Sequence, residues 1–349
     1  MPHIANGVRT VSVVDASDVS LKSFQEHAFL PGKPLLMKAG TGSGNSHPRG
    51  LPASKHWFEG RQGSIVRLSS YLEPFAMSHL PYELMYSPQP DGRKPLAGFI
   101  EWLASETKDS STASSSAAIR PGLAKLLQHC IASSPPITDS ADSTSRLIRL
   151  EAPLALFLAA VEYNCTSSTA DPVTHLYIAQ APLVELPQGL QQDVPVPDLV
   201  QKAGRGDVYD SSVWLGLEPT YTPWHRDPNP NLFCQLCSCK IVRLMAPTGG
   251  EHIFRQVQEE LMKQQASSSS VSSRIRGEEM MQGPERELLH RAVWGEEDDK
   301  AAEGISRGKM LEARLDAGDM LFIPKGWWHS VRSVYADGRL NGSVNWWFR

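Results

Sequence analysis

Long apolar runs are absent from this 349-residue chain. None approaches the roughly 20 residues that span a bilayer, so a membrane anchor is not expected. A basic surplus is absent too. The net charge is −4 and the pI about 6.3, so general binding to a phosphate backbone is not expected, although a tRNA substrate stays open. Cysteine is sparse, at five residues, too few for a disulfide framework in a chain of this length. Cys234, Cys237 and Cys239 lie close together but lack a second Cys or His pair at zinc spacing. They are expected to be buried or half-buried thiols on a strand and its turn. The first twenty residues carry neither a secretory pattern nor an Arg-rich amphipathic leader, so an intracellular (cytoplasmic or nuclear) protein is expected. No internal repeat is visible.

What is present is core material. Hydrophobic residues are 41% of the chain, enough for one large domain or two modest ones. Asp18 or Ser20 can cap a short helix through about His27, and KPLLMKA after Pro31-Gly32 reads as a strand. RQGSIVRLSSYL (61–72) suggests another. PLAGFIEWLAS (95–105) reads as a helix opened by Pro95, and APLALFLAAVEYN (152–164) as a helix apolar almost all round, hence buried. Two stretches are low in complexity: a Ser-rich loop at about 106–118, and an insertion at about 265–300 that includes SSSSVSS. Neither is expected to bury enough apolar surface to order itself.

From residue 173 the pattern changes. THLYIAQ, SSVWLGL, LFCQLC, KIVRLMAP, MLFIP, HSVRSV and GSVNWWF are short, β-rich and punctuated by Gly, Pro and Asn. Such a series suggests an antiparallel barrel or jelly roll, with helical material collecting before residue 165 as a buttress. The expected fold class is mostly β with flanking helices. Residues 1–165 would form an α+β support region and 166–349 the barrel.

Within TPWHRDPNPNLFCQLCSCK (222–240), His225 and Asp227 stand two apart. In a strand, i and i+2 point to one face. Two histidines and one carboxylate on a common face can hold Fe(II) and leave coordination positions open. The second histidine is sought on another strand, and His329 in GDMLFIPKGWWHSV is the candidate. Taken singly, His329 also reads as a core residue packed among tryptophans, and His-x-Asp as a chance pair. Trp224, Trp327 and Trp328 read as packing residues, one of which could border a substrate groove.

These two stretches, followed by SVNWWF, resemble the Jumonji C (JmjC) family in its cupin-like small-hydroxylase branch, which includes factor inhibiting HIF. The resemblance runs from about Leu176 to the end. It is fainter over 18–105, where FLPGKPLLMKA and ASKHWF resemble the support of the same branch. It implies a double-stranded β-helix. It implies that His225, Asp227 and His329 bind Fe(II), and that Lys240 and Thr222 hold the far carboxylate of 2-oxoglutarate. It also implies that Asn231 and Asn345 lie near the metal-proximal end of that cosubstrate and Tyr177 on its wall. O2 would be the oxidant, and succinate and CO2 the coproducts.

The family commonly has Gly where Ser238 stands, so a small backbone adjustment is expected there. The stretch 247–310 departs from the pattern in a region that borders substrate in such enzymes. The chain ends without the helical extension of factor inhibiting HIF, so a monomer is expected. Asp227, where demethylase branches more often carry Glu, points to hydroxylation of a protein or peptide side chain. Lysine demethylation and tRNA-base hydroxylation are alternatives of the same chemistry. From other classes come a catalytically inactive binding module and a cupin enzyme using another metal without 2-oxoglutarate. The intact residue set speaks against the first, and Lys240 with Asn231 against the second.

Overall fold

The computed structural model describes residues 8–40, 50–60, 66–87, 90–105, 115–133, 146–166, 171–266, 283–295 and 309–349. Its strands, in chain order, are β1 (Arg9–Thr10), β2 (Ser12–Asp15), β3 (Leu35–Lys38), β4 (Phe58–Glu59), β5 (Arg67–Leu68), β6 (His79–Tyr86), β7 (Arg146–Pro153) and β8 (Leu176–Pro182). There follow β9 (Val208–Leu217), β10 (Tyr221–Arg226), β11 (Asn231–Cys237), β12 (Lys240–Met245), β13 (Leu311–Leu315), β14 (Met320–Ile323), β15 (Trp328–Ser333) and β16 (Leu340–Phe348).

These strands build two main sheets. The smaller has the order β1-β13-β12-β15-β10, and the larger β2-β3-β14-β11-β16-β9-β8-β6-β7. Strands distant in sequence pair as neighbours, β11 with β16 and β12 with β15, mostly antiparallel. This is the jelly-roll, double-stranded β-helix arrangement expected from the sequence. Both sheets send alternate side chains inward. Phe233, Val242, Leu244, Leu315, Leu321 and Ile323 form one continuous buried cluster between them.

The start of the chain behaves as its local sequence dictates. Ser20 caps Leu21–Phe24 by accepting from the Ser23 N–H, and the Ser23 hydroxyl accepts from the Ser20 N–H. The helix Leu154–Thr166 buries residues on every side, among them Leu154, Leu156, Phe157 and Val161.

Elsewhere the structure corrects the expectations. The helix expected at 95–105 starts earlier, at Pro90, and carries Pro95 inside it; Leu96, Phe99, Ile100 and Leu103 form its buried face. Within 61–72 only Arg67–Leu68 is strand, followed by a 3-10 turn Ser70–Phe75, and 61–65 lies outside the described residues. Most of the 106–118 and 265–300 stretches lies outside them as well.

Helical material is not confined to the region before residue 165. Pro247–Ala266 and Pro284–Trp294 are helices, although the second falls inside the expected low-complexity insertion. The reason is packing. Leu288, Leu289, Ala292, Val293 and Trp294 join Ile253, Val257 and Leu261 in a core shared with Trp224 and Trp328 on the small sheet. Those two indoles stack at 6.1 Å, and Phe254 stacks on Trp328 at 5.2 Å. Gly250 permits this approach, because a β-carbon there would lie 2.2 Å from the Trp328 ring. Trp327 instead donates to the Gly32 carbonyl at 3.1 Å.

The large sheet also crosses the division expected near residue 165. β6 pairs with β7 along its whole length and with β8 on its other edge. The region before 165 therefore contributes directly to the sheet that encloses the site.

Candidate metal centre and cosubstrate pocket

His225 lies in β10 directly across from His329 in β15. An irregularity in register between Thr222 and His225 turns the end of β10 so that Asp227, just beyond it, closes on the same point. One ligand atom from each of the three falls within 4.8 Å of the others. The His225 and His329 Nε2 atoms stand 3.8 and 3.6 Å from the Asp227 carboxylate oxygens.

The other atoms of each group are already held. His225 Nδ1 donates to the Pro223 carbonyl at 2.8 Å, and His329 Nδ1 to the Trp327 carbonyl at 3.1 Å. These bonds orient both rings so that their Nε2 atoms stand toward the Asp227 carboxylate. Burial, with His225 beside it, pushes the His329 imidazole down to about 4, so it is neutral near pH 7. Burial opposes ionisation of Asp227, yet its carboxyl is held below the usual range. The neighbouring His329 and His225 rings hold it there, joined by two donors: Trp347 Nε1 at 2.7 Å and Asn231 Nδ2 at 3.1 Å. Behind Asn231 the chain of donors continues. Asn345 donates to Asn231 Oδ1 at 3.2 Å, and Trp214 Nε1 to Asn345 Oδ1 at 2.8 Å. Two imidazoles and one carboxylate, each oriented from behind, suit a divalent metal with open coordination positions.

The three residues open onto a cavity of about 790 Å³, whose lining also includes Thr222, Asn231, Lys240, Asn345 and Tyr177. The structure thus brings all eight sequence-identified residues to one space. Lys240 is 2% exposed. Its ammonium donates to the Ser343 hydroxyl at 2.8 Å and lies over the Phe233 and Tyr177 rings. Among the described residues no carboxylate stands within ion-pair distance of it. Burial pushes its pKa down to about 7, with only Glu218 acting the other way. Burial likewise raises the Tyr177 phenol, so it is a neutral donor.

Ser238, in the turn before Lys240, adopts the left-handed conformation with φ 59°, which glycine takes at no steric cost. Its hydroxyl offsets the strain by donating to the Glu218 carboxylate at 2.6 Å. Glu218 is fully buried and also accepts from Asn341 and the Tyr335 N–H. The turn that delivers Lys240 is therefore pinned without glycine. Cys234 and Cys237 are buried and Cys239 half-buried; burial pushes the Cys237 thiol up to about 12 and the Cys239 thiol to about 11. No cysteine joins a metal-ligating group among the described residues.

Sequence reasoning missed Trp347, Ser343 and Trp214. The signal for the first two was present: Ser343, Asn345 and Trp347 alternate on one strand and share its inner face. It also missed the wall from β6 and β7, where Glu83, Arg149 and Glu151 line the cavity and Arg149 pairs with Glu83 at 3.2 Å. The described helices of the departing stretch 247–310 pack in the core around Trp224 and Trp328 and do not line this cavity.

Comparison with known proteins agrees with this geometry. Residues 135–349 match the cupin-like domain. The chain is similar to lysine-specific demethylase JMJ30 of Arabidopsis thaliana, 27% identical over 182 residues, covering 52% of this chain and 35% of that protein. It is similar to Jumonji C domain-containing protein 5 of Drosophila melanogaster, 26% identical over 159 residues, covering 45% and 33%. It is also similar to lysine-specific demethylase 8 of Danio rerio, 26% identical over 174 residues, covering 49% and 36%. The chain thus spans about a third of the length of these curated relatives. No helix among the described residues is long and apolar enough to cross a membrane. With the domain match covering most of the chain and the histidine–aspartate–histidine cluster in its barrel, the chain belongs to the cupin-like JmjC family.

Proposed function

We propose that the chain is an Fe(II)- and 2-oxoglutarate-dependent oxygenase that hydroxylates a side chain of a polypeptide. One observation carries the reading: a three-ligand cluster and a buried ammonium whose hydrogen-bond partner is a neutral hydroxyl face the same cavity. A buried lysine without a counter-charge is costly unless a ligand supplies one. A dicarboxylate that chelates metal at one end and meets Lys240 at the other satisfies both halves.

In this reading His225, Asp227 and His329 hold the metal. Trp347 and Asn231 keep the Asp227 carboxylate ionised and aimed, and Asn345 orients Asn231. Lys240, with Thr222 and the neutral Tyr177 phenol nearby, holds the far carboxylate. Phe233, Ile323 and Val331 line the same cavity and exclude water from its depth. Bound there, iron and 2-oxoglutarate supply O2 activation: one oxygen atom goes to succinate as CO2 leaves, and the other enters a substrate C–H bond.

A second reading is removal of a lysine N-methyl group. Two of the relatives above are named lysine-specific demethylases, and the Glu151 carboxylate on the cavity wall suits a cationic side chain. Hydroxylation of an N-methyl carbon would release formaldehyde, so product analysis on methylated and unmethylated peptides separates the two. A nuclear or cytoplasmic site of action and a monomeric state belong to the same proposal.

The test of the clamp is anaerobic binding of 2-oxoglutarate to the Fe(II)-loaded protein. Lys240→Ala should weaken it sharply while iron stays bound. An unchanged affinity would remove Lys240 from the proposal.

A further inference from the structure

A second cavity, of about 600 Å³, adjoins the first at Glu83 and Tyr177, which line both. Strand alternation at the edge strand β10 separates them: Thr222 faces the first and Tyr221 the second. The floor of the second is the row Tyr221–Arg332–Ile241, which runs across β10, β15 and β12. Its roof is the helix Pro284–Trp294, which presents Arg286 and His290.

The cavity is lined by the guanidiniums of Arg286 and Arg332. Arg286 lies over the Tyr221 ring at 5.0 Å and Arg332 over Trp294 at 4.2 Å. Among the described residues neither has an ion-pair partner. A guanidinium stacked on a ring keeps its in-plane N–H donors available. The Thr220 hydroxyl, at the same place, is buried with no partner. Of the acidic lining residues, Glu83 is engaged by Arg149 and Glu287 is exposed on the helix. Burial, followed by Arg286 and Arg332, lowers the His290 pKa, and burial with Arg286 does the same at His175.

We propose that this cavity binds an acidic side chain, carboxylate or phosphate, of the polypeptide whose neighbouring residue enters the first cavity. The inference rests on the reading of that first cavity as a site for polypeptide side chains. Bidentate contact from Arg286 or Arg332 is the chemistry that would recognise such a group.

The test uses the full chain loaded with Fe(II) and 2-oxoglutarate without oxygen. It is titrated with fluorescein-labelled peptides of equal length built from Glu and Ser, phosphoserine and Gly, or Lys and Ser, with inorganic phosphate as competitor. The visible charge-transfer band of the cosubstrate complex is read in the same samples. The Glu or phosphoserine peptide should bind, more weakly as salt is raised, and the Lys peptide should not. Whichever acidic peptide binds more tightly identifies the anion. Arg286→Glu should lower that affinity by about tenfold, and Glu287→Lys should raise it. Equal binding of the Glu and Lys peptides, or affinities unmoved in both variants, overturns the proposal. If the band forms while the peptides fail to discriminate, the subsite falls and the oxygenase reading stands. If the band is missing while acidic binding still depends on Arg286, the anion site stands and the oxygenase reading falls.

Discussion

The two ends of the main cavity are built on opposite principles. At the metal end every group is braced from behind: both imidazoles by backbone carbonyls, Asp227 by Trp347 and Asn231, and Asn231 by Asn345 and Trp214. At the other end a buried ammonium has one hydroxyl partner, Ser343, and two aromatic faces. The first end is organised before anything binds. The second is completed by what binds, and until then it costs stability. A residue that weakens the empty fold and is nonetheless buried at the centre of a cavity is the mark of function rather than packing.

The largest effect should come from the braced end. Asp227→Ala removes the only carboxylate of the cluster and should abolish stoichiometric Fe(II) binding, measured by metal analysis after gel filtration. Retained stoichiometric iron would show that the cluster is not the metal site. Next, Lys240→Met should act in two directions at once. Affinity for 2-oxoglutarate should fall by about 2–3 kcal/mol, roughly thirty- to 150-fold. The protein without cosubstrate should gain roughly 1–4 kcal/mol in chemical denaturation. A loss of stability instead would mean that Lys240 is a structural residue and would erase the contrast between the ends.

The same lysine gives a pH signature. Its pKa in the fold is about 7, against 10.5 ordinarily. Between those values the unfolded chain binds more protons, so wild-type stability should rise with pH across this window relative to Lys240→Met. Affinity for 2-oxoglutarate should fall above pH 7, by up to about tenfold per unit, and a flat profile from pH 6.5 to about 9 would contradict the assignment. A smaller effect is expected from Trp347→Phe, which keeps the ring and removes one donor to Asp227. Metal affinity should drop about 10–100-fold in a competition titration with a chelator, while the fold persists. The smallest belongs to Ser238→Ala. It keeps the left-handed turn and loses the bond to Glu218, costing about 1 kcal/mol of stability. A larger loss would show that the turn, rather than the cavity, limits the Lys240 end.

The sequence was most legible where one rule decides an element. The strands around LFCQLC, KIVRLMAP and GSVNWWF were visible because β-branched and aromatic residues sit between turn formers. His225 and Asp227 stood out because two chelating residues share a strand face. The resemblance then supplied Lys240, Thr222, Asn231, Asn345 and Tyr177, and the structure places them around one cavity. What was not legible depends on distant partners. HLPYELMY contains Pro81 and does not announce a strand, but pairing with Arg146–Pro153 makes it one. PERELLHRAVW is charged and flanked by low complexity, so its apolar residues looked too few to order it. Trp224 and Trp328 on the small sheet supply the surface that they cover. The Glu83–Arg149 wall was hidden for the same reason, since its two members are far apart in the chain and meet only in the sheet.

The most direct measurement is anaerobic absorbance of the metal-free protein titrated with Fe(II) and then with 2-oxoglutarate, which requires no knowledge of the substrate. The account predicts a visible metal-to-ligand charge-transfer band that saturates at one cosubstrate per chain, is lost in His329→Ala, and needs far more 2-oxoglutarate in Lys240→Ala. Iron binding without the band in the wild-type protein would contradict it and turn attention to metal chemistry that uses no 2-oxo acid.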